Sequence, residues 1–77
     1  MRHPADVGFD TIDRVIKVGS KKDGCNEDWR HKGKLFHLMK AIRHATTAAM
    51  IEEGIIKPDG ENHAELAITR LAMSLTD

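Results

Sequence analysis

Residues 32–53 read KGKLFHLMKAIRHATTAAMIEE, and this stretch decides the fold. Alanine, leucine, methionine, lysine and glutamate, all good helix formers, dominate it. At 100° per residue, Leu35, Leu38, Met39, Ile42, Ala45 and Ala49 form one apolar stripe. A helix of roughly twenty residues spans about 30 Å, and this one is expected to be the structural spine. A charge at Ile42 is expected to unfold or disperse the assembly, because the carboxylate would be buried without a partner. His37 and His44 fall on the opposite side, flanked by Ala41, Ala48 and Ile51. The helix therefore has a second face, small and apolar, that carries two histidines.

Before this stretch, residues 1–9 lack a usable period, and Pro4 and Gly8 suggest a loose arm. A short helix is expected from Asp10 or Thr11, either of which can cap it, with Ile12, Val15 and Ile16 on one face. Gly19 is expected to end it. Residues 19–31, GSKKDGCNEDWRH, read as a polar loop from which Trp29 either packs back on the core or offers a stacking platform. Beyond Gly54, Pro58-Asp59-Gly60 signals a turn. A last helix is expected from about Glu61 to about Leu75, with a main apolar stripe at Ala64, Ala67, Ile68, Leu71 and Leu75. Leu66 and Met73 form a second strip, and His63, Arg70 and Ser74 a polar strip between them. Two apolar strips on one helix imply burial on two sides. No β-branched runs are joined by a hairpin dipeptide, so the chain is expected to be all-α: a small bundle of about three helices. It is read as one domain, residues 1–77, with a helical core over 10–75.

Composition narrows the function. The chain has 77 residues, 12 Lys plus Arg and 12 Asp plus Glu, for a formal net charge of zero. A general nucleic-acid binder would show a basic excess, so no nucleic-acid partner is expected. No apolar run approaches a membrane span, and there is no positively charged start followed by an apolar core, so no secretory signal is expected. The one cysteine, Cys25, suits a reducing compartment, so a cytoplasmic protein is expected. With three aromatic residues, Phe9, Trp29 and Phe36, aliphatic and Met side chains are expected to fill most of the core. So short a chain often gains stability by oligomerising, and a homo-oligomer is expected.

The histidines do not show the i, i+4 spacing of a direct metal-ligating pair. His37 suits an interface, and His44 a helix surface or cap. Glu52 and Glu53 end the long helix near the turn that carries Asp59 and Glu61. Carboxylates converging between helices can hold Mg²⁺ through a few oxygens and several waters, although glutamates at a helix C-terminus oppose its macrodipole. Lys21, Lys22, Arg30 and Arg43 are cations able to meet phosphates.

In order, Gly19-Ser20-Lys21-Lys22-Asp23-Gly24, Asp28-Trp29, Lys32-Gly33 and Ala41-Ile42-Arg43-His44-Ala45, with His63 opening the last helix, make a series. It resembles the phage and prophage dATP/dGTP diphosphohydrolase N-terminal family, related to the all-α MazG-type nucleotide pyrophosphohydrolases. The resemblance covers roughly residues 10 to 75. It implies an oligomeric helical enzyme that cleaves a purine deoxynucleoside triphosphate to monophosphate and pyrophosphate, with Mg²⁺ or Mn²⁺. His44 and His63 then map onto the family's histidines as catalytic residues. Lys21, Lys22, Trp29 and Arg43 fall in substrate-binding positions, and Glu53 and Asp59 are the metal candidates. The chain departs from the pattern at Asp23, often Tyr in the family, at Met39, often Asp, and at Arg70, often Asn. Ile56 leaves the E-E-x-x-E signature incomplete after Glu52-Glu53. A non-enzymatic helical interaction protein that keeps the fold is the alternative.

Overall fold

The computed structural model of the protein describes residues 1–23 and 28–76, and the side chains of all of these except 19–23 and 28. Among them are three α-helices, α1 (Pro4–Asp23), α2 (Lys34–Glu52) and α3 (His63–Ser74), and a 3₁₀ turn over Asp28–His31 before α2. The all-α expectation holds. No helix among the described residues is long and apolar enough to cross a membrane.

α1 is longer at both ends than its sequence suggested. Residues 4–9 are its first turns rather than a loose arm. Pro4 occupies the first turn, where its missing N–H costs nothing. His3 takes the capping role expected of Asp10 or Thr11: its Nδ1 accepts from Ala5 N–H at 3.0 Å, and its carbonyl accepts from Asp6 and Val7. Gly8 is not a breaker either, since it lies against α3, where an added Cβ would sit 3.5 Å from Ile68 Cδ1. The backbone continues helically through Gly19 to Asp23.

α3 is the middle layer, with α2 packed on one side and α1 on the other. α3 thus has two neighbouring helices, but of its expected main stripe Ala67 is buried while Ile68, Leu71 and Leu75 remain 38–78% exposed. α2 and α3 run antiparallel: His37, near the start of α2, meets Arg70, near the end of α3, while His44 meets His63 at the start of α3. The return is made by residues 53–62. Gly54, at φ +77°, closes α2 with Gly54 N–H donating to Ile51 and Ile55 N–H to Met50, the paired bonds of a Schellman end. Asn62 caps α3, its side chain accepting from Glu65 N–H at 3.2 Å. α1 is tied to α3 by the Arg14 guanidinium, which donates two bonds to the Glu65 carboxylate.

The face of α2 that packs inward is the reverse of the expected one. Ala41 and Ala67 are the fully buried apolar residues, at 3% and 7% exposure, and around them His37, His63, Thr69 and Ser74 are buried. Two alanines let the helix backbones approach closely. The large stripe residues Leu35, Met39 and Ile42 lie outside, 54–71% exposed. Aliphatic side chains therefore do not fill most of this core, and a charge at Ile42 would not be buried within a single chain. Periodicity finds an apolar stripe but does not say what it faces.

Enlarging the buried alanine is expected to be the costly change. Ala41→Leu forces side chains into the α2–α3 contact, with a penalty of about 1–3 kcal/mol. Urea unfolding followed by circular dichroism checks this: Ala41→Leu should lower the midpoint, whereas Ala45→Leu, on an exposed position of the same helix, should not.

Candidate functional site

The α2–α3 seam is polar at two levels, one on either side of the alanine contact. The spacing of His37 and His44 on α2 equals that of His63 and Arg70 on α3, seven residues or about two turns. Antiparallel packing therefore brings the two pairs into register together.

At one level, Arg70 Nη1 donates to His37 Nδ1 at 3.1 Å, and His37 Nε2–H donates to the Trp29 carbonyl at 2.8 Å. His37 is 2% exposed. It pins the 3₁₀ turn onto the helix pair, the interface role its sequence suggested. Trp29 is half-buried, with Arg30 over its ring at 5.2 Å. Lys32 and Lys34 join Trp29, Arg30 and His37 around a cavity that reaches Ser74 and Thr76.

At the other level, His44 Nδ1 and His63 Nδ1 lie 2.9 Å apart, with the rings stacked at 5.1 Å and 27°. His63 is buried, and its Nε2 lies 2.8 and 3.1 Å from the two Asp59 carboxylate oxygens. The same carboxylate accepts from Glu61 N–H at 3.1 Å, an Asx turn that fixes it in place with Gly60 at φ +86°.

These bonds fix one proton and tie the others together. An ionised carboxylate only accepts, so His63 Nε2 carries a proton and donates to Asp59. In the neutral ring His63 Nδ1 is then a bare acceptor. With His63 in that form, His44 donates to it from its own Nδ1 and His44 Nε2 is left as an unprotonated base; with His63 protonated the bond reverses and His44 Nδ1 accepts. Asp59 thus orients His44 through His63, the same logic by which a buried acid orients a catalytic histidine. Burial, the neighbouring His63 and the positive Arg70 all hold the His44 pKa below the ordinary histidine value. The hydrogen bond to His63 chiefly holds Asp59 below the usual carboxylate range.

The donors Asp59, Glu61 and His63 lie within 4.8 Å of one another. Two carboxylates and an imidazole suit Mn²⁺; Mg²⁺ would use the carboxylates and water alone. Of the two residues expected to bind metal, Asp59 is in this group. Glu53 is not: it is the exposed C-cap of α2.

The other expected residues separate. His44 and His63 come together. Trp29 sits at the opposite level of the seam. Arg43 is exposed and, one residue before His44, points about 100° away around α2. The side chains of Lys21 and Lys22 lie outside the described residues. Arg70, which the sequence placed on a polar strip with His63 without giving it a role, is with Lys40 a cation that acts on His44. The matching seven-residue spacings were the signal that could have found it. The chain matches no protein-family model, no curated protein and no solved structure.

The lowered His44 pKa sets a pH dependence. The unfolded chain takes up this proton more readily than the folded one, starting near the ordinary histidine value of about 6.5. Stability from this group is thus present above that value and lost as pH falls through the folded one. The melting temperature should be flat above neutrality and drop as pH falls below about 6.5. In His44→Gln, thermal unfolding across the same range should show a shallower drop.

Proposed function

We propose that the protein is a metal-dependent nucleoside triphosphate pyrophosphohydrolase acting on purine deoxynucleotides, with the Asp59–His63–His44 chain as its acid–base centre. The observation that carries this reading is the 2.9 Å Nδ1–Nδ1 contact backed by Asp59. It leaves His44 Nε2 as an oriented base with a pKa lowered so that it is unprotonated near neutrality. In the reaction, water oxygen bonds to the α-phosphorus as His44 Nε2 takes the water proton. The bond from that phosphorus to the bridging oxygen breaks, and pyrophosphate leaves. His63 and Asp59 keep His44 in the productive tautomer. Asp59 and Glu61 are the residues that would hold a divalent cation, Mg²⁺ or Mn²⁺, and such an ion offsets phosphate charge. Arg30, Lys32 and Lys34 around the Trp29 cavity add positive charge at the far level of the seam. The ordered motif series supports the choice of substrate.

A non-enzymatic helical interaction protein is the second reading, favoured by the exposed Leu35, Met39 and Ile42. Pyrophosphate release from dATP or dGTP with Mg²⁺ or Mn²⁺ separates the two. An enzyme turns over, and His44→Gln should cost about a hundredfold or more in kcat while retaining the wild-type helical signal. If the wild-type protein neither releases pyrophosphate nor gains thermal stability with metal and nucleotide, the enzymatic reading is wrong.

A further inference from the structure

The chain is neutral overall, but its charges are segregated. Residues 29–51 hold Arg30, Lys32, Lys34, Lys40 and Arg43 and not one Asp or Glu, so the rest of the chain carries the matching excess of acid. Three of these cations gather at one place. Arg30 from the 3₁₀ turn, Lys32 from the link that follows and Lys34 from the first turn of α2 surround a cavity of about 190 Å³ at the His37 level of the seam. Its lining includes Trp29, His37 and Ser74 and, among the described residues, no Asp or Glu.

The inner wall of this cavity is fixed, and its rim is adjustable. His37 and Ser74 are 2% and 6% exposed. His37 is held between the Trp29 carbonyl and Arg70, and the Ser74 hydroxyl donates to the Leu71 carbonyl. Lys32 and Lys34 are exposed ammonium groups on flexible stems, able to turn their donors onto one ligand.

Like charges around one small space repel one another, and the helix ends do not relieve them. Lys34 opens α2 and Ser74 closes α3. The two helix ends that meet here carry about half a unit of charge each, of opposite sign, and cancel. An anion of two or more charges removes the repulsion.

Size and distance select the anion. Sites for whole ligands or cofactors occupy about 300–1,000 Å³, so this cavity takes a small ion rather than a nucleoside. Phosphate oxygens are bound by Arg as a fork and by Lys as a point charge, through charge-assisted hydrogen bonds. The cavity lies about two helical turns, roughly 10 Å, from the His44–His63 pair, so one phosphate cannot occupy both.

We propose that the Trp29 cavity is a binding site for a small phosphate oxyanion, held by Lys32, Lys34 and Arg30 and separate from the acid–base centre at His44. The bound ion joins the 3₁₀ turn to the start of α2. This site stands whether or not His44 catalyses hydrolysis.

Titration calorimetry with inorganic phosphate or pyrophosphate, without metal, measures the binding. The fluorescence of Trp29, the one tryptophan of the chain, places it. Both anions should bind saturably at low ionic strength, pyrophosphate more tightly and with a midpoint below about 1 mM. Trp29 emission should change over the same concentrations. Lys32→Gln and Lys34→Gln should each weaken binding about tenfold or more with unchanged helical circular dichroism. Lys57→Gln, an exposed position in the turn at the opposite end of the seam, should not. Competition with dATP distinguishes the sources of the phosphate. Displacement of pyrophosphate by less dATP than phosphate assigns the cavity to the terminal phosphates of a nucleotide; displacement only by more assigns it to the free ion. No saturable heat up to about 10 mM anion, heat without a change at Trp29, or an equal loss in Lys57→Gln overturns the proposal. Pyrophosphate binding without pyrophosphate release from dATP would refute hydrolysis and leave this site in place.

Discussion

Ala41 and Ala67, buried between the His37–Arg70 and His44–His63 pairs of the α2–α3 seam, are the constraint on which the rest of this structure depends. Small side chains at both positions let the helices approach closely enough for side chains on either side to hydrogen-bond directly. His37 and Arg70 close one level, and His44 and His63 the other. Larger residues at the alanines would hold the helices apart, and 2.9–3.1 Å bonds would lengthen beyond useful range. The polar chemistry is therefore a consequence of the small residues between the two pairs.

This seam is an unusual core. Its buried side chains are chiefly histidine, threonine, serine and alanine, which contribute less transfer free energy than leucine or isoleucine would. What they contribute is definition. Among the described residues, no buried side-chain nitrogen or oxygen lacks a hydrogen-bond partner. Any slip of α3 along α2 would break both pairs at once and leave donors and acceptors buried without partners, at about 1–3 kcal/mol each. Register is thus fixed by polar satisfaction, and much of the apolar surface remains outside.

This division explains what could be read from the sequence. The helical class, the long α2 and the turn at Pro58–Gly60 were all legible, because helix propensity and glycine and proline signals are local. The inward face of α2 was not. A stripe of Leu35, Met39 and Ile42 looks like a core face by every local measure, and only the partner helix decides otherwise. α3 offers His63, Ala67, Arg70 and Ser74, a small and polar strip, and the strip on α2 that complements it is the histidine one. The start of α1 was hidden for a different reason. His3 caps through a ring nitrogen, outside the usual serine, threonine, aspartate and asparagine set. For the candidate site, His44, His63 and Asp59 were each visible, whereas their order as a hydrogen-bonded chain required knowing that α3 returns antiparallel.

The same geometry constrains how the His44 base could work. Its free Nε2 requires that His63 accept at Nδ1, which a neutral His63 does when its Nε2–H donates to Asp59. Asp59 in turn is held by the Glu61 N–H at the Asx turn. A cation that drew Asp59 fully onto itself, or that took His63 Nε2 as a ligand, would release this ordering and let the tautomers exchange. An ion that bound instead through the outer carboxylate oxygens of Asp59 and Glu61 would leave it in place. Binding a phosphate-neutralising cation and keeping an oriented base therefore compete for the same carboxylate. The site can do both only if Asp59 is shared between ion and imidazole, with Glu61 and water completing the ion's shell.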